Sequence, residues 1–422
     1  MRRTIVFTII CAFFTFSAVA SASGFRLLEV DNIGQGMAHA RVAGVDDAAA
    51  VYYNPAAMPE VEKYSAKVGF IQIDPKTKLD HADEPDESVN ETFPVPHIYS
   101  VNKLEDMGIS VGFGIFSNFG TGSGWSIESP VRHIATDTKL RTYTVNVSGA
   151  MSLDVVSIGL GLNYMDVHAE YDNLYRFPGT NSDGYSLIDA TGSSFGFNAG
   201  LLFKVTNAIK IGATYRSAME SDLSGKIDLE NVPDTSLHGG AGFNGDDYTT
   251  DASGKLKFPA IASAGIAINV TDTIAVEFDV DYTQWSALDE ITFNFDRPLT
   301  GSGGAELLPG SVTEKKNWKD TVTLKLGAAF KIDDNMTFRC GFYNDPSPVP
   351  DDTFSPRIPD ADRNAVTLGF GYKAADKYTL DASFAYVMTG DRTVSNDVGH
   401  GEGNGTYNTT ANIFGVSLGY TF

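Results

Sequence analysis

The chain closes on Ile413-Phe-Gly-Val-Ser-Leu-Gly-Tyr-Thr-Phe422. At a side-chain period of two, Phe414, Val416, Leu418, Tyr420 and Phe422 share one face of a strand. Gly415, Ser417, Gly419 and Thr421 share the other. A soluble strand turns its apolar face to a core. Here that face runs to the last residue, and the opposite face is small and polar. This is the pattern of a strand with lipid outside and a polar or packed lumen inside.

The same alternation recurs along the chain. Val156, Ile158, Leu160, Leu162 and Tyr164 alternate with Ser157, Gly159, Gly161 and Asn163. Ile274, Val276, Phe278, Val280 and Tyr282 alternate with Ala275, Glu277, Asp279 and Asp281. Similar runs begin at Ile109, Val322, Val366 and Tyr378. Short turn-like connections (102–106, 152–154, 205–208, 269–273, 332–335, 373–377) alternate with long polar ones (74–94, 118–138, 173–191, 226–253, 296–317, 346–362, 391–409). The segments between them number about fourteen, an even count as closed bacterial barrels require. The expected fold is all-β: a transmembrane antiparallel barrel over 64–422, with short turns and both termini in the periplasm. A strand ending on a C-terminal Phe also resembles the assembly signal of outer-membrane barrels.

Residues 1–22 read as a signal peptide. Arg2 and Arg3 precede a short apolar run, Ile5 to Phe16, and Ala20-Ser-Ala22 offers a cleavage site. Cutting after Ala22 removes Cys11 and leaves Cys340 as the one cysteine, so no internal disulfide is expected. A lipoprotein reading through Cys11 is disfavoured, because the apolar run continues past it. No later segment has the roughly 18 apolar residues of a membrane helix. The net charge of −22 argues against nucleic-acid binding, which needs basic surface. The acids concentrate in expected loops, most densely from Asp74 to Glu91, where solvated loops are the first reading and a cation-mediated contact with lipopolysaccharide the second.

Residues 23–63 break the pattern. They are rich in Gly and Ala, have no strand period, and carry too many apolar residues (Phe25, Leu27, Val30, Ile33, Val45) for a disordered leader. They are expected to fold into the lumen as a plug.

Ser23-Gly24-Phe25, Asp46-Asp47-Ala48 and Asn54-Pro55-Ala56 resemble the hatch of the FadL/TodX-type outer-membrane transporters. Later stretches extend the likeness: Asp281-Tyr-Thr-Gln-Trp-Ser286, Ser347-Pro-Val-Pro350 and Pro359-Asp-Ala-Asp-Arg363. The resemblance implies a 14-stranded barrel stoppered by a hatch, and passive uptake of long-chain fatty acids or, as the alternative, of aromatic or aliphatic hydrocarbons. It implies ligand contacts at Phe25 and Lys315, with Arg176 near the place of a second cation; Phe119 and Trp125, with Ile127, are expected either to form part of an outer apolar groove for the ligand or to anchor at the lipid interface, where aromatics gather. It implies a gate at Asn54, Pro55 and Ala56. It also implies a kink at Ser117-Asn118-Phe119-Gly120, through which ligand leaves sideways into the outer membrane. A monomer without cofactor or metal is expected, with a hydrophobic small molecule, membrane lipid and lipopolysaccharide as its partners.

By parity Lys210, Arg216, Glu277, Asp279, Asp281, Lys325, Arg339, Lys373 and Asp381 face the lumen and are expected to brace barrel and plug, while Cys340 faces lipid. Gly240-Ala-Gly-Phe-Asn-Gly245 fits a dinucleotide fingerprint in spelling alone, lacking a strand before it and a helix after it. The seven His residues show no metal-ligand spacing. Competing functions are a lipid hydrolase using Ser194 with His168, and an open porin or surface receptor.

Overall fold

The computed structural model describes residues 24–62, 64–81, 87–177, 183–232, 247–300 and 306–422. The signal segment and the Gly240–Gly245 motif lie outside the described residues. No described helix is long and apolar enough to cross a membrane; the crossing is made by strands. Fourteen antiparallel strands form the wall. They are β1 (Tyr64–Asp80), β2 (Phe93–Leu104), β3 (Ile109–Phe116, resuming as Gly120–Gly124), β4 (Asp137–Leu153), β5 (Val156–Arg176) and β6 (Asp183–Lys204). Four interrupted strands follow: β7 (Ile209–Arg216, Met219–Glu230), β8 (Tyr248–Phe258, Ile261–Thr271), β9 (Ile274–Thr283, Glu290–Phe295) and β10 (Ser311–Lys315, Thr321–Lys331). The circuit is completed by β11 (Met336–Asp345), β12 (Arg363–Ala374), β13 (Tyr378–Thr389) and β14 (Gly405–Thr421). β14 pairs with β1 from Ser65↔Thr421 to Asp80↔Thr406, so the sheet has no open edge there.

The terminal strand that set the reading behaves as its pattern requires. Phe414, Val416, Leu418 and Phe422 are 43–60% exposed, whereas Ser417 is 1% exposed. Leu162 (67%) and Phe195 (78%) mark the same outward belt on β5 and β6. Exposure on this scale is what a lipid-facing surface looks like in isolation.

Several strands outrun the bilayer. β5 and β6 have 21 and 22 residues, about twice the 9–11 needed to cross. The sequence placed loops at 173–191 and 226–253, but pairing continues to Arg176↔Asp183 and Leu229↔Tyr248. The reason is physical: above the membrane a ladder needs only backbone hydrogen bonds, not the apolar alternation that marks the crossing portion. A core of the chain's own side chains sits on these extensions, including Phe177, Ile227, Leu229 and Phe295.

Residues 24–62 fill the lumen. They contain two short helices, α1 (Asn32–Gly36) and α2 (Ala50–Tyr53), and a 3-10 turn, Pro55–Glu60. Helices this short are unstable alone, so packing and the wall's polar groups hold them. Asp31 caps α1 by accepting from Gly34 N. Its carboxylate also meets Arg41 (3.0 Å) and Lys67 (2.8 Å). The inward acids of β9 bind plug backbone: Asp279 accepts from Arg41 N and Val42 N (2.7 and 3.0 Å), and Glu277 from Ala43 N and Gly44 N (2.6 and 3.0 Å). Asp281 pairs with Arg26 (2.6 Å) and Lys325. The inward parity read from the sequence thus lands on groups that brace the plug. Breaking one such pair leaves an uncompensated buried charge, which costs about 3–5 kcal/mol.

Candidate functional site

The wall departs from regular pairing at β3. Its ladder to β4 runs from Ile109↔Met151 to Phe116↔Thr144 and resumes only at Gly120↔Arg141. On the other side, the β2–β3 ladder begins at Ile98↔Ile115, so Phe93–His97 pair with β1 but not with β3. Ser117, Asn118 and Phe119 bend inward, and all three are buried. A window results between β2 and β4.

Local chemistry fixes the bend. Ser117 Oγ donates to Thr142 O (2.5 Å), Thr142 Oγ1 to Phe119 O (2.6 Å) and Thr144 Oγ1 to Asn118 Oδ1 (2.8 Å). These hydroxyls replace ladder bonds that the kinked residues give up. The plug's first residues supply the rest. Leu27 N donates to Asn118 O (3.1 Å) and Gly120 N to Phe25 O (2.8 Å) around an Arg26↔Phe119 bridge. The mouth of the window and the end of the plug are therefore one hydrogen-bonded unit.

Beside that unit lies a cavity of about 300 Å³. Its middle is apolar, with Leu27, Phe93, Val95, Phe119 and Leu140. Its lumen end carries Glu29, Asp360 and Arg363. Pro94, Lys139, Arg141 and Tyr143 also line it. Burial along β2 and β4 puts Pro94, Arg141 and Tyr143 on the outward face, with Tyr143 45% exposed. The cavity thus crosses the wall.

Phe25 anchors the plug's start in an aromatic cage. Its ring lies 4.9 Å from Trp285, 5.4 Å from Trp318, 5.9 Å from Phe258 and 6.0 Å from Phe119, centroid to centroid. Phe258, Trp285 and Trp318 sit at or beside the interruptions of β8, β9 and β10. Next to Phe25, Gly24 N donates to Asp360 Oδ2 (3.0 Å), which also accepts from Ser347 Oγ (2.8 Å). Gly24 has φ +59°, and a Cβ there would lie 2.5 Å from the Trp318 ring. Burial pushes the Glu29 and Asp360 carboxyls upward, Asp360 to about 6.

Asn54, Pro55 and Ala56 form the plug's far anchor. Asn54 is fully buried. Its Nδ2 donates to Val42 O (2.8 Å) and Leu201 O (3.1 Å), and its Oδ1 accepts from Ala56 N (3.0 Å). Pro55 opens the 3-10 turn, where its missing N–H costs nothing. The turn fits only because β5 and β6 present glycines: a Cβ on Gly159 would meet Pro55 C at 2.4 Å, and one on Gly200 would meet Asn54 Oδ1 at 2.1 Å.

The remaining candidates fall elsewhere. Trp125 is buried under the extracellular loops, donating from Nε1 to Pro356 O (3.0 Å). Arg176 is 56% exposed and pairs with Glu402 (3.2 Å). Lys315 is 65% exposed and pairs with Glu290. None of these three lines the cavity. Ser194 is buried on the lumen side and accepts a hydrogen bond from Ser221 (3.0 Å), while His168 lies on the outer face against Asp189 (2.8 Å). That separation removes the Ser–His pairing a hydrolase would need.

Sequence reasoning did not single out Glu29, Lys139, Arg141, Thr142 or Thr144. Arg141 left one trace: it is a cation in phase with, and directly preceding, the lipid-facing run Tyr143, Val145, Val147.

Over residues 13–422 the chain matches the family described as outer membrane protein transport protein (OMPP1/FadL/TodX). It is 26% identical over 444 residues to the long-chain fatty acid transport protein of Escherichia coli O6:H1, covering 96% of each chain. It is also 26% identical over 463 residues to outer membrane protein P1 of Haemophilus influenzae, again covering 96% of each. Among solved structures, a Pseudomonas aeruginosa FadL homologue superposes with a TM-score of 0.82 at 22% identity, covering 94% of this chain and 100% of that one. The Pseudomonas putida toluene transporter TodX gives 0.67 at 16% identity, covering 96% and 99%. At these identities the structures speak to the fold.

Proposed function

Since this chain belongs to the OMPP1/FadL/TodX family, and so to the outer membrane of a Gram-negative bacterium, we propose that it carries hydrophobic small molecules passively across that membrane's outer face. Long-chain fatty acids are the first candidates, after the E. coli relative's name. Monoaromatic hydrocarbons are the second, after the toluene transporters that share the fold. The observation that carries the reading is the cavity that leaves the lumen through the β3 kink.

The energetics favour a sideways route. Each buried CH₂ gains about 0.8 kcal/mol, so a chain of ten methylenes gains roughly 8 kcal/mol on entering the cavity. Returning it to water below would cost the same amount. Passing it from cavity to lipid costs little, because both are apolar, and a gradient suffices. Downward passage is also obstructed by the plug, whose residues 48–58 are almost wholly buried in the lumen. Ligand arrives from outside and displaces Phe25 and Leu27, which breaks the two backbone bonds to Asn118 and Gly120. Those bonds are worth about 1–3 kcal/mol together, which the ligand's burial readily offsets. Asn54, Pro55 and Ala56 hold the far end of the plug while its start moves.

The test is uptake of labelled dodecanoate and of toluene by a strain lacking the gene. Complementation with the wild-type chain should restore uptake of at least one of them. Deletion of Asn54–Ala56 should reduce it while the barrel still assembles. Equal uptake with and without the wild-type gene would overturn the proposal.

A further inference from the structure

The cavity is electrically lopsided. Its lumen end holds two carboxyls, Glu29 and Asp360, beside Arg363, whose guanidinium pairs with Asp345 at 3.3 Å. Its outer mouth holds two cations, Lys139 and Arg141. Between the two ends the walls are mainly apolar, interrupted by hydroxyls such as those of Ser117, Thr121 and Thr142. Lys139 and Arg141 stand on one face of β4, about 7 Å apart per side-chain repeat, and Arg141 is one repeat above Tyr143. Aromatic residues at an outer rim mark the lipid–water boundary, so the two cations lie at head-group height.

Neighbouring acids hold these cations without enclosing them. Lys139 bonds to Asp137 and lies 3.9 Å from Glu170, and Arg141 Nη1 donates to Glu170 Oε1 at 3.2 Å. Glu170 is further shared with His168 Nε2 at 3.5 Å. The Arg141 side chain remains 49% exposed, so much of its fork of donors faces the mouth.

We infer that Lys139 and Arg141 form a head-group station at the lateral mouth, receiving the carboxylate of an amphiphilic acid whose chain lies inward along Leu140, Phe119 and Phe93. This rests on the transport reading above and adds to it an orientation and a point of discrimination. A carboxylate at the lumen end would face Glu29 and Asp360. At the mouth it meets cations and water while its chain remains dry. An acid is then held head-outward, already aligned with the lipids it will join. A neutral hydrocarbon uses the same apolar walls and ignores the station.

The test compares dodecanoate with dodecan-1-ol, which differ in charge but hardly in chain. Both are titrated at pH 8 into the full chain in nanodiscs free of lipopolysaccharide. The K139Q/R141Q pair should weaken dodecanoate roughly five- to twentyfold, within what two solvent-screened ion pairs supply, and leave dodecan-1-ol within about twofold. High salt should shrink the difference. Glu170→Gln removes a competing carboxylate and should tighten dodecanoate, a gain that misfolding does not mimic. Unchanged dodecanoate binding in K139Q/R141Q, or equal weakening of both ligands, would overturn the inference. In a second arm, with lipopolysaccharide added to the nanodiscs, loss of bound lipopolysaccharide in that variant with dodecanoate unaffected would assign the station to lipid A phosphates and also overturn it. Wild-type protein that binds neither ligand would instead count against the transport reading.

Discussion

Gly159→Ala tests how the plug is seated. The added Cβ would lie 2.4 Å from Pro55 C, 2.5 Å from Ala56 N and 2.8 Å from Pro55 O. All three are backbone atoms, so no rotamer change relieves the contact. One partner must move. β5 is laddered to β4 from Val156 to Asp172 and to β6 over its whole length. The Pro55–Glu60 turn, by contrast, meets the wall through side-chain contacts alone: Asn54 to Leu201 O, Lys103 to Pro59 O, and Glu60 to Lys204 and Lys210. The turn should therefore lift. Overpacking costs about 1–3 kcal/mol, and each lost Asn54 bond roughly 1 kcal/mol. A plug loosened by about 3–5 kcal/mol should exchange amide hydrogens in residues 50–62 some hundred- to thousandfold faster, or more. Hydrogen-exchange mass spectrometry of the intact barrel reads this directly. Gly149→Ala is the control, since nothing lies within 4 Å of its added Cβ. Peptides from β12 to β14 should be unaffected in both variants. Equal protection of 50–62 in the two variants would refute the reasoning.

Three further outcomes follow from the site. Phe25→Ala empties the cage of Phe119, Phe258, Trp285 and Trp318, which should cost the docked plug start about 3–5 kcal/mol and expose residues 24–31 to exchange; unaltered protection there would count against the cage as an anchor. The buried Asp360 carboxyl titrates at about 6, above the ordinary value near 3.9, so the docked state binds its proton more tightly than an undocked, solvated one. Docking is then strongest below about pH 4 and loses up to roughly 3 kcal/mol as pH rises through 6. Intrinsic-rate-corrected exchange of Gly24–Asp31 should rise over that window and go flat in Asp360→Asn; a wild-type profile that is already flat would contradict this. Thr142→Val removes the hydroxyl bonded to Phe119 O and should loosen the kink by about 1–3 kcal/mol, seen as faster exchange at 117–120 with β5 and β6 unchanged.

Much of the architecture was legible because lipid imposes a simple rule. Phe414 to Phe422 alternates without exception, and the same period in Ile274–Tyr282 places Glu277, Asp279 and Asp281 in the lumen, where the plug meets them. The rule ends where the membrane does, which is why the sequence assigned 173–191 to a loop although Arg176 and Asp183 are still paired. The site was only half legible. Phe25, Asn54 and the Ser117–Gly120 kink are marked by their resemblance to the family's hatch and third-strand segments. Lys315 and Arg176 match the family by position alone, and the strand ends that carry them turn them to Glu290 and Glu402. Glu29, Arg141 and Thr142 become functional candidates only when the plug's start is laid against β3 and β4. The plug–β3 contacts that bring them together, such as Leu27 to Asn118 and Phe25 to Gly120, are far apart along the chain, and nothing in local spacing encodes them.

The central claim is that cargo leaves between β2 and β4. Photolabelling tests it most directly, using fatty-acid and alkane probes that carry a diazirine on the chain, with adducts mapped by mass spectrometry on protein in intact outer membranes. The account predicts adducts concentrated on Phe93, Pro94, Leu140 and Tyr143, lost when excess unlabelled ligand competes. Competable adducts in the lumen beneath the plug's last turn, at Lys210, or labelling confined to the general lipid belt at Phe195 and Phe278, would contradict it.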